Sequence, residues 1–122
     1  MRLYHGMDIL TAARLLAGES LNEAQAAALK AEGPAGFFLA LDIADAEFFA
    51  LRQSRGPGAV VFVEYSSTTA SLLFGAGMIQ RPVPRGMRSP HFLGDELFIS
   101  PALFSLFNDL RRAGEVHLSP AP

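Results

Sequence analysis

The chain contains no cysteine and no tryptophan, and it has only three histidines. Without cysteine there can be no disulfide, no thiolate metal site and no cysteine nucleophile. Three histidines are too few for a His-rich metal centre, so no metal is expected. Lysine is nearly missing as well: Lys30 is the single one, and the remaining basic residues are arginines. A charge excess is also lacking. Ten basic and twelve acidic residues leave a formal net charge of −2, which excludes a wholesale nucleic-acid coat or a polybasic membrane anchor. No apolar run approaches the roughly 18 residues of a spanning helix, and no membrane association is expected. The opening Met1-Arg2-Leu3-Tyr4-His5-Gly6 lacks the apolar stretch of a signal peptide, so the expected location is cytoplasmic. Walker loops, GxGxxG fingerprints, GxSxG elbows and HExxH sites are all absent, which removes most common enzyme classes.

What is present suits one folded domain spanning residues 1–122. Half of the residues are hydrophobic, 18% are charged, and the mean hydropathy is +0.25. Such a composition is incompatible with global disorder. A chain of this length buries roughly two thirds of its unfolded surface, enough for a core without staples.

The pattern of elements predicts an α+β or α/β fold. Arg2–His5 reads as a strand closed by Gly6. Asp8 can cap a helix with Ile9, Leu10, Ala13, Leu16 and Ala17 as its apolar face, stopped by Gly18. Ser20-Leu21-Asn22-Glu23 has capping-box spacing and opens an Ala-rich helix to about Glu32, broken by Gly33-Pro34-Ala35-Gly36. Phe37–Ala40 reads as a short buried strand. Asp42 caps a helix from Ile43 to about Gln53, with Ile43, Ala46, Phe49 and Ala50 on one side. Ala59–Tyr65 is the clearest strand, β-branched and aromatic throughout. Thr69–Phe74 is a helical turn or a loop, and Gly75–Gly94 reads as loop. Glu96–Ile99 returns to strand, Pro101–Arg112 is helical with Pro101 in its first turn, and Glu115–Leu118 is a last strand.

Four local features carry chemistry. His5 sits at a strand end; on its own it reads as a structural histidine, although Gly6 beside it permits close approach of a ligand to the backbone. The Phe37-Phe38 and Phe48-Phe49 pairs read as core. Glu96 follows Asp95 at the start of an apolar strand, where desolvation and the neighbouring carboxylate both raise a pKa; Glu64 is a competing acid with a strand-end structural reading. Finally, no acid occurs between Glu64 and Asp95, whereas Arg81, Arg85, Arg88 and His91 do. Arginines there either solubilise a loop or bind phosphate through forked hydrogen bonds.

Taken in order, these segments resemble the ADP-ribosyltransferase superfamily, along nearly the whole chain. Tyr4-His5-Gly6 is similar to the first motif of its His-Tyr-Glu branch. Gly36-Phe37-Phe38-Leu39 resembles the Gly-Ile-Tyr-Phe strand of the poly(ADP-ribose) polymerases, and Glu47-Phe48-Phe49-Ala50 resembles the segment bearing a second aromatic. Gly94-Asp95-Glu96-Leu97-Phe98-Ile99-Ser100-Pro101 is similar to the strand of the catalytic Glu, especially in compact bacterial toxins. The resemblance implies an α+β fold with a split β-sheet core and flanking helices. It also implies NAD as cofactor and cleavage of the nicotinamide–ribose bond.

The resemblance assigns roles residue by residue. Glu96 is the implied catalytic residue. His5 and Gly6 are implied to hold the dinucleotide, Phe38 and Phe49 to stack on nicotinamide, and Arg81, Arg85 or Arg88 to meet the pyrophosphate or a target. Met7 departs from the family's Ser or Thr, and Phe38 and Phe49 replace Tyr, which keeps stacking and removes hydroxyl hydrogen bonds. Gly94 stands where arginine-modifying members carry a second Glu, so a different side chain, a nucleic acid or water is the expected acceptor. A toxin of this type implies an antitoxin or immunity protein as partner. Two other readings stay open: a non-catalytic nucleotide- or protein-binding module on the same fold, and an RNA 2′-phosphotransferase, which needs more basic residues.

Overall fold

A computed structural model describes residues 1–21, 36–53, 57–82 and 94–121 of the chain. The helix expected between Asn22 and Glu32, and Arg85, Arg88 and His91, lie outside the described residues. The described part is α+β: six strands form one antiparallel sheet, with four helices beside it. The strands are β1 Arg2–Asp8, β2 Phe37–Ala40, β3 Gly58–Tyr65, β4 Ile79–Pro82, β5 Asp95–Ile99 and β6 Val116–Pro120. The helices are α1 Ile9–Leu16, α2 Ile43–Gln53, α3 Ser67–Ala76 and α4 Phe104–Arg112, the last preceded by a 3₁₀ turn at Pro101–Leu103.

The strand order is β4-β5-β2-β1-β3-β6. Its centre is thin. β1 pairs with β3 along its whole length, from Arg2 opposite Glu64 to Asp8 opposite Gly58. With β2 it shares only the pair Tyr4 and Ala40. The sheet therefore consists of a β4-β5-β2 part and a β1-β3-β6 part meeting at one narrow seam.

Because strand side chains alternate between faces, the registers define two sets of residues. Leu3, Met7, Phe37, Leu39, Val61, Val63, Tyr65, Leu97, Ile99 and Val116 belong to one buried apolar cluster. Ala12 and Leu15 of α1, Ala70 and Leu73 of α3, and Phe104 and Phe107 of α4 complete that cluster. The opposite face carries Tyr4, Gly6, Phe38, Ala40, Phe62, Glu96, Phe98 and Arg81, as the pairs Tyr4–Phe62, Phe38–Phe98 and Arg81–Glu96 require. Only α2 packs there among the described elements, through buried Ala46 and Ala50.

The local signals operate as physical chemistry dictates. Asp8 caps α1: its Oδ1 accepts from the Thr11 N–H at 2.8 Å. Asp42 accepts from the Ala44 N–H at 2.8 Å at the start of α2, and Ser66 caps α3. Leu103, Phe104 and Phe107 are core residues, with Phe107 fully buried.

Several expectations need correction. β1 does not stop at Gly6 but runs through it to Asp8. Since the strand passes straight into α1, the cap residue fixes the helix rotation. Ala12 and Leu15 then face the sheet, while Ile9 and Leu10, expected inside, are 50% and 74% exposed. Ile43, expected on the buried side of α2, is exposed, and the polar Asp45 is buried instead. Thr69–Phe74 belongs to a full helix. The region read as loop contains β4, which pairs with β5 from Ile79 opposite Phe98 to Pro82 opposite Asp95.

Candidate functional site

The face of the sheet away from the core assembles an unusual group. Glu96 of β5 is a carboxylate only 7% exposed. Burial pushes its pKa above the ordinary glutamate value; the Arg81 guanidinium pulls the other way, and the charge of Asp45 on α2 adds to the rise. Arg81 sits directly opposite on β4, and its Nε donates to Glu96 Oε1 at 3.1 Å. Sequence reading placed Arg81 in a loop; it is a strand residue, because the alternation of β4 turns it toward Glu96.

Aromatic rings complete the cluster. Phe38 of β2 and Phe98 of β5 pair in register, with centroids 5.0 Å apart and planes tilted by 33°. The Arg81 guanidinium carbon lies 5.1 Å from the Phe38 centroid and 5.2 Å from that of Phe98, within the range of a cation–π contact. Gly36 makes this arrangement feasible, since a Cβ there would lie 2.0 Å from Cε2 of Phe98.

His5 is connected differently. Alternation along β1 puts it between the core residues Leu3 and Met7, and its ring lies 4.1 Å from that of Phe37. Its Nδ1 is 2.6 Å from the Phe38 carbonyl oxygen. That carbonyl can only accept, so Nδ1 carries the proton and Nε2 is the acceptor nitrogen. Burial lowers the His5 pKa to about 4, against the opposing effect of the Phe38 carbonyl, so the ring is neutral near pH 7. The bond crosses the seam where β1 and β2 share a single residue pair, and it ties His5 to the strand that presents Phe38.

Gly6 is buried under α2. A Cβ would lie 2.1 Å from the Ala46 carbonyl oxygen and 3.0 Å from the Ala50 nitrogen. The close backbone approach that Gly6 allows is therefore made by the helix. Met7 belongs to the core cluster, on the face away from Glu96. Phe49 is half-buried on α2, one turn beyond Asp45 and so on the same side of that helix. Among the described residues no ring contact joins Phe49 to Phe38. The structure thus brings together Phe38, Arg81 and Glu96, links His5 to them through the Phe38 main chain, and leaves Phe49 separate.

Two members of the site were not visible as such in the sequence. Asp45 had one signal, a carboxylate between two alanines on the helix side that also carries Phe49. Phe98 was read only as part of an apolar strand; its period-two relation to Glu96 places both on one face.

Glu64, the competing acid, is half-exposed and lies 3.6 Å from Arg2, a surface pair of small energetic weight. Among the described residues no helix is long and apolar enough to cross a membrane. The chain matches no protein-family model, no curated protein and no solved structure.

Proposed function

We propose that the protein is an NAD-dependent mono-ADP-ribosyltransferase with an ADP-ribosyltransferase-like fold, cleaving the nicotinamide–ribose bond and passing ADP-ribose to a macromolecule or to water. The observation that carries this reading is the half-buried Phe38 ring beside the buried Glu96 carboxylate on one sheet face. The narrow seam between β1 and β2 agrees with the split sheet that the resemblance implies.

The chemistry follows from the residue types. Cleavage of the glycosidic bond develops positive charge on the ribose, and a preorganised carboxylate in a poorly hydrated setting favours that charge. Glu96 would serve this role and hold a ribose hydroxyl, while Phe38 would stack on nicotinamide. His5, neutral and held by its Nδ1 bond to the Phe38 carbonyl, would act from the packed face by fixing the strand that presents Phe38. NAD, when bound, supplies the electrophilic ribose carbon and the leaving nicotinamide. Phe49, on the Asp45 side of α2, would offer a second ring to nicotinamide, whereas the Gly6 backbone is covered by α2.

The test is nicotinamide release from NAD by the purified protein, with a cell extract supplied as acceptor. Glu96→Gln should lower the rate at least ~100-fold, the scale of losing one preorganised electrostatic group. It should still fold, since the amide oxygen can accept the Arg81 Nε–H in place of the carboxylate and the Arg81 side chain is 27% exposed to water; circular dichroism checks this. Equal rates in the two proteins would refute the assignment of Glu96. No release by wild type under any of these conditions would favour a non-catalytic nucleotide-binding module.

A further inference from the structure

We propose that Arg81 is an internal occupant of a subsite built for a flat cation, and that a substrate pyridinium must displace it. The inference rests on the reading of this face as an NAD-cleaving site and adds a regulatory contact to it. Three observations converge. First, the guanidinium is itself a flat cation, lying over the rings of Phe38 and Phe98 and paired to the Glu96 carboxylate. Two aromatic faces and one carboxylate complement any planar cation, and the nicotinamide ring of oxidised NAD is one.

Second, the arginine is lightly held. Its side chain has five N–H donors, and only Nε has a hydrogen-bond partner among the described residues. An arginine that serves only structure commonly spends several donors on carbonyl oxygens. Arg111 does so, donating through Nη1 to the Glu19 carbonyl and through Nη2 to the Leu15 carbonyl. Third, Arg81 extends from β4, the strand at the edge of the sheet, and its side chain is 27% exposed. Among the described residues its departure breaks one ion pair and two ring contacts and disturbs no core residue.

In this arrangement the resting site is closed by its own cation. Oxidised NAD can replace the guanidinium like for like, whereas reduced NAD, whose nicotinamide ring is neutral, cannot. Arg81 therefore lowers the affinity of the site for pyridinium ligands, which must take its place beside the Glu96 carboxylate.

The test is calorimetric titration of wild type and Arg81→Gln with three probes: 1-methylnicotinamide, neutral nicotinamide and NAD. Arg81→Gln should bind 1-methylnicotinamide at least tenfold more tightly than wild type, with no comparable gain for nicotinamide. No gain, or an equal gain for the neutral ring, would overturn the proposal. If the variant gains affinity for 1-methylnicotinamide and neither protein cleaves NAD, the cation subsite stands and the proposed function fails. A wild-type measurement avoids dependence on a variant: the Arg81 Nε–H resonance should shift on addition of 1-methylnicotinamide, and an unchanged resonance at saturation would overturn the proposal as well.

Discussion

The two faces of the sheet differ in what they do with the same kinds of residue. On the packed face, Phe37 lies 5.7 Å from Phe107 and both rings are sealed among aliphatic side chains from three helices. On the open face, Phe38 and Phe98 are only half-buried and meet charged groups instead. One face thus uses its aromatic rings for stability. The other holds a buried carboxylate whose pKa is raised by desolvation, an arrangement that does not favour stability at neutral pH. A carboxylate with a raised folded-state pKa contributes stability below its unfolded value and loses it as pH rises through the folded value. Retention of such a group is expected where chemistry needs it.

The largest effect that would break this comparison is a ring truncation on each face. Phe107→Ala should cost about 4 kcal/mol, as a fully enclosed ring leaves a cavity. Phe38→Ala should cost about half of that or less, while reducing NAD cleavage. Denaturant unfolding with parallel activity assays would check both, and equal stability losses would mean that the open face is ordinary core.

Next comes the packing of α2 against the seam. Gly6→Ala forces a Cβ against the Ala46 carbonyl, and an overpacked site of this kind costs about 3 kcal/mol. Thermal unfolding should show the loss. A variant as stable as wild type would mean that α2 shifts freely, and that Gly6 is kept for reasons other than helix packing.

The smallest effect at neutral pH comes from His5. Its folded pKa, lowered to about 4, lies below the ordinary value near 6.5. The unfolded chain therefore takes up a proton first. Stability should be unaffected above about pH 6.5 and should fall by about 3 kcal/mol in all as pH drops from there to about 4. Urea titrations across that window should show the slope in wild type and lose this part of it in His5→Phe. An unchanged slope in the variant would assign the pH dependence to other groups.

Most of the fold was legible because its signals are local. Asp8 and Asp42 act within three residues of the helices they cap. The β-branched run of β3 needs no partner to be recognised. β4 escaped notice because its four residues are flanked by Gly77 and end at Pro82, and because its pairing with β5 depends on residues far along the chain. The rotation of α1 was lost for a related reason: tertiary attachment, not the count of apolar residues, decides which side faces the sheet. At the site, His5 and Glu96 stood out through sequence resemblance. The Arg81–Glu96 pair, the Phe38–Phe98 stack and the approach of Asp45 arise from register and packing, which residue order does not announce.

The division between the faces is tested most directly by titrating NAD into isotope-labelled protein and following side-chain resonances on both. The account predicts progressive shifts of the Phe38 and Phe98 ring signals and the Arg81 Nε–H, with the methyl signals of Leu3, Val63 and Val116 unmoved. Saturating NAD that leaves Phe38, Phe98 and Arg81 unchanged would contradict it.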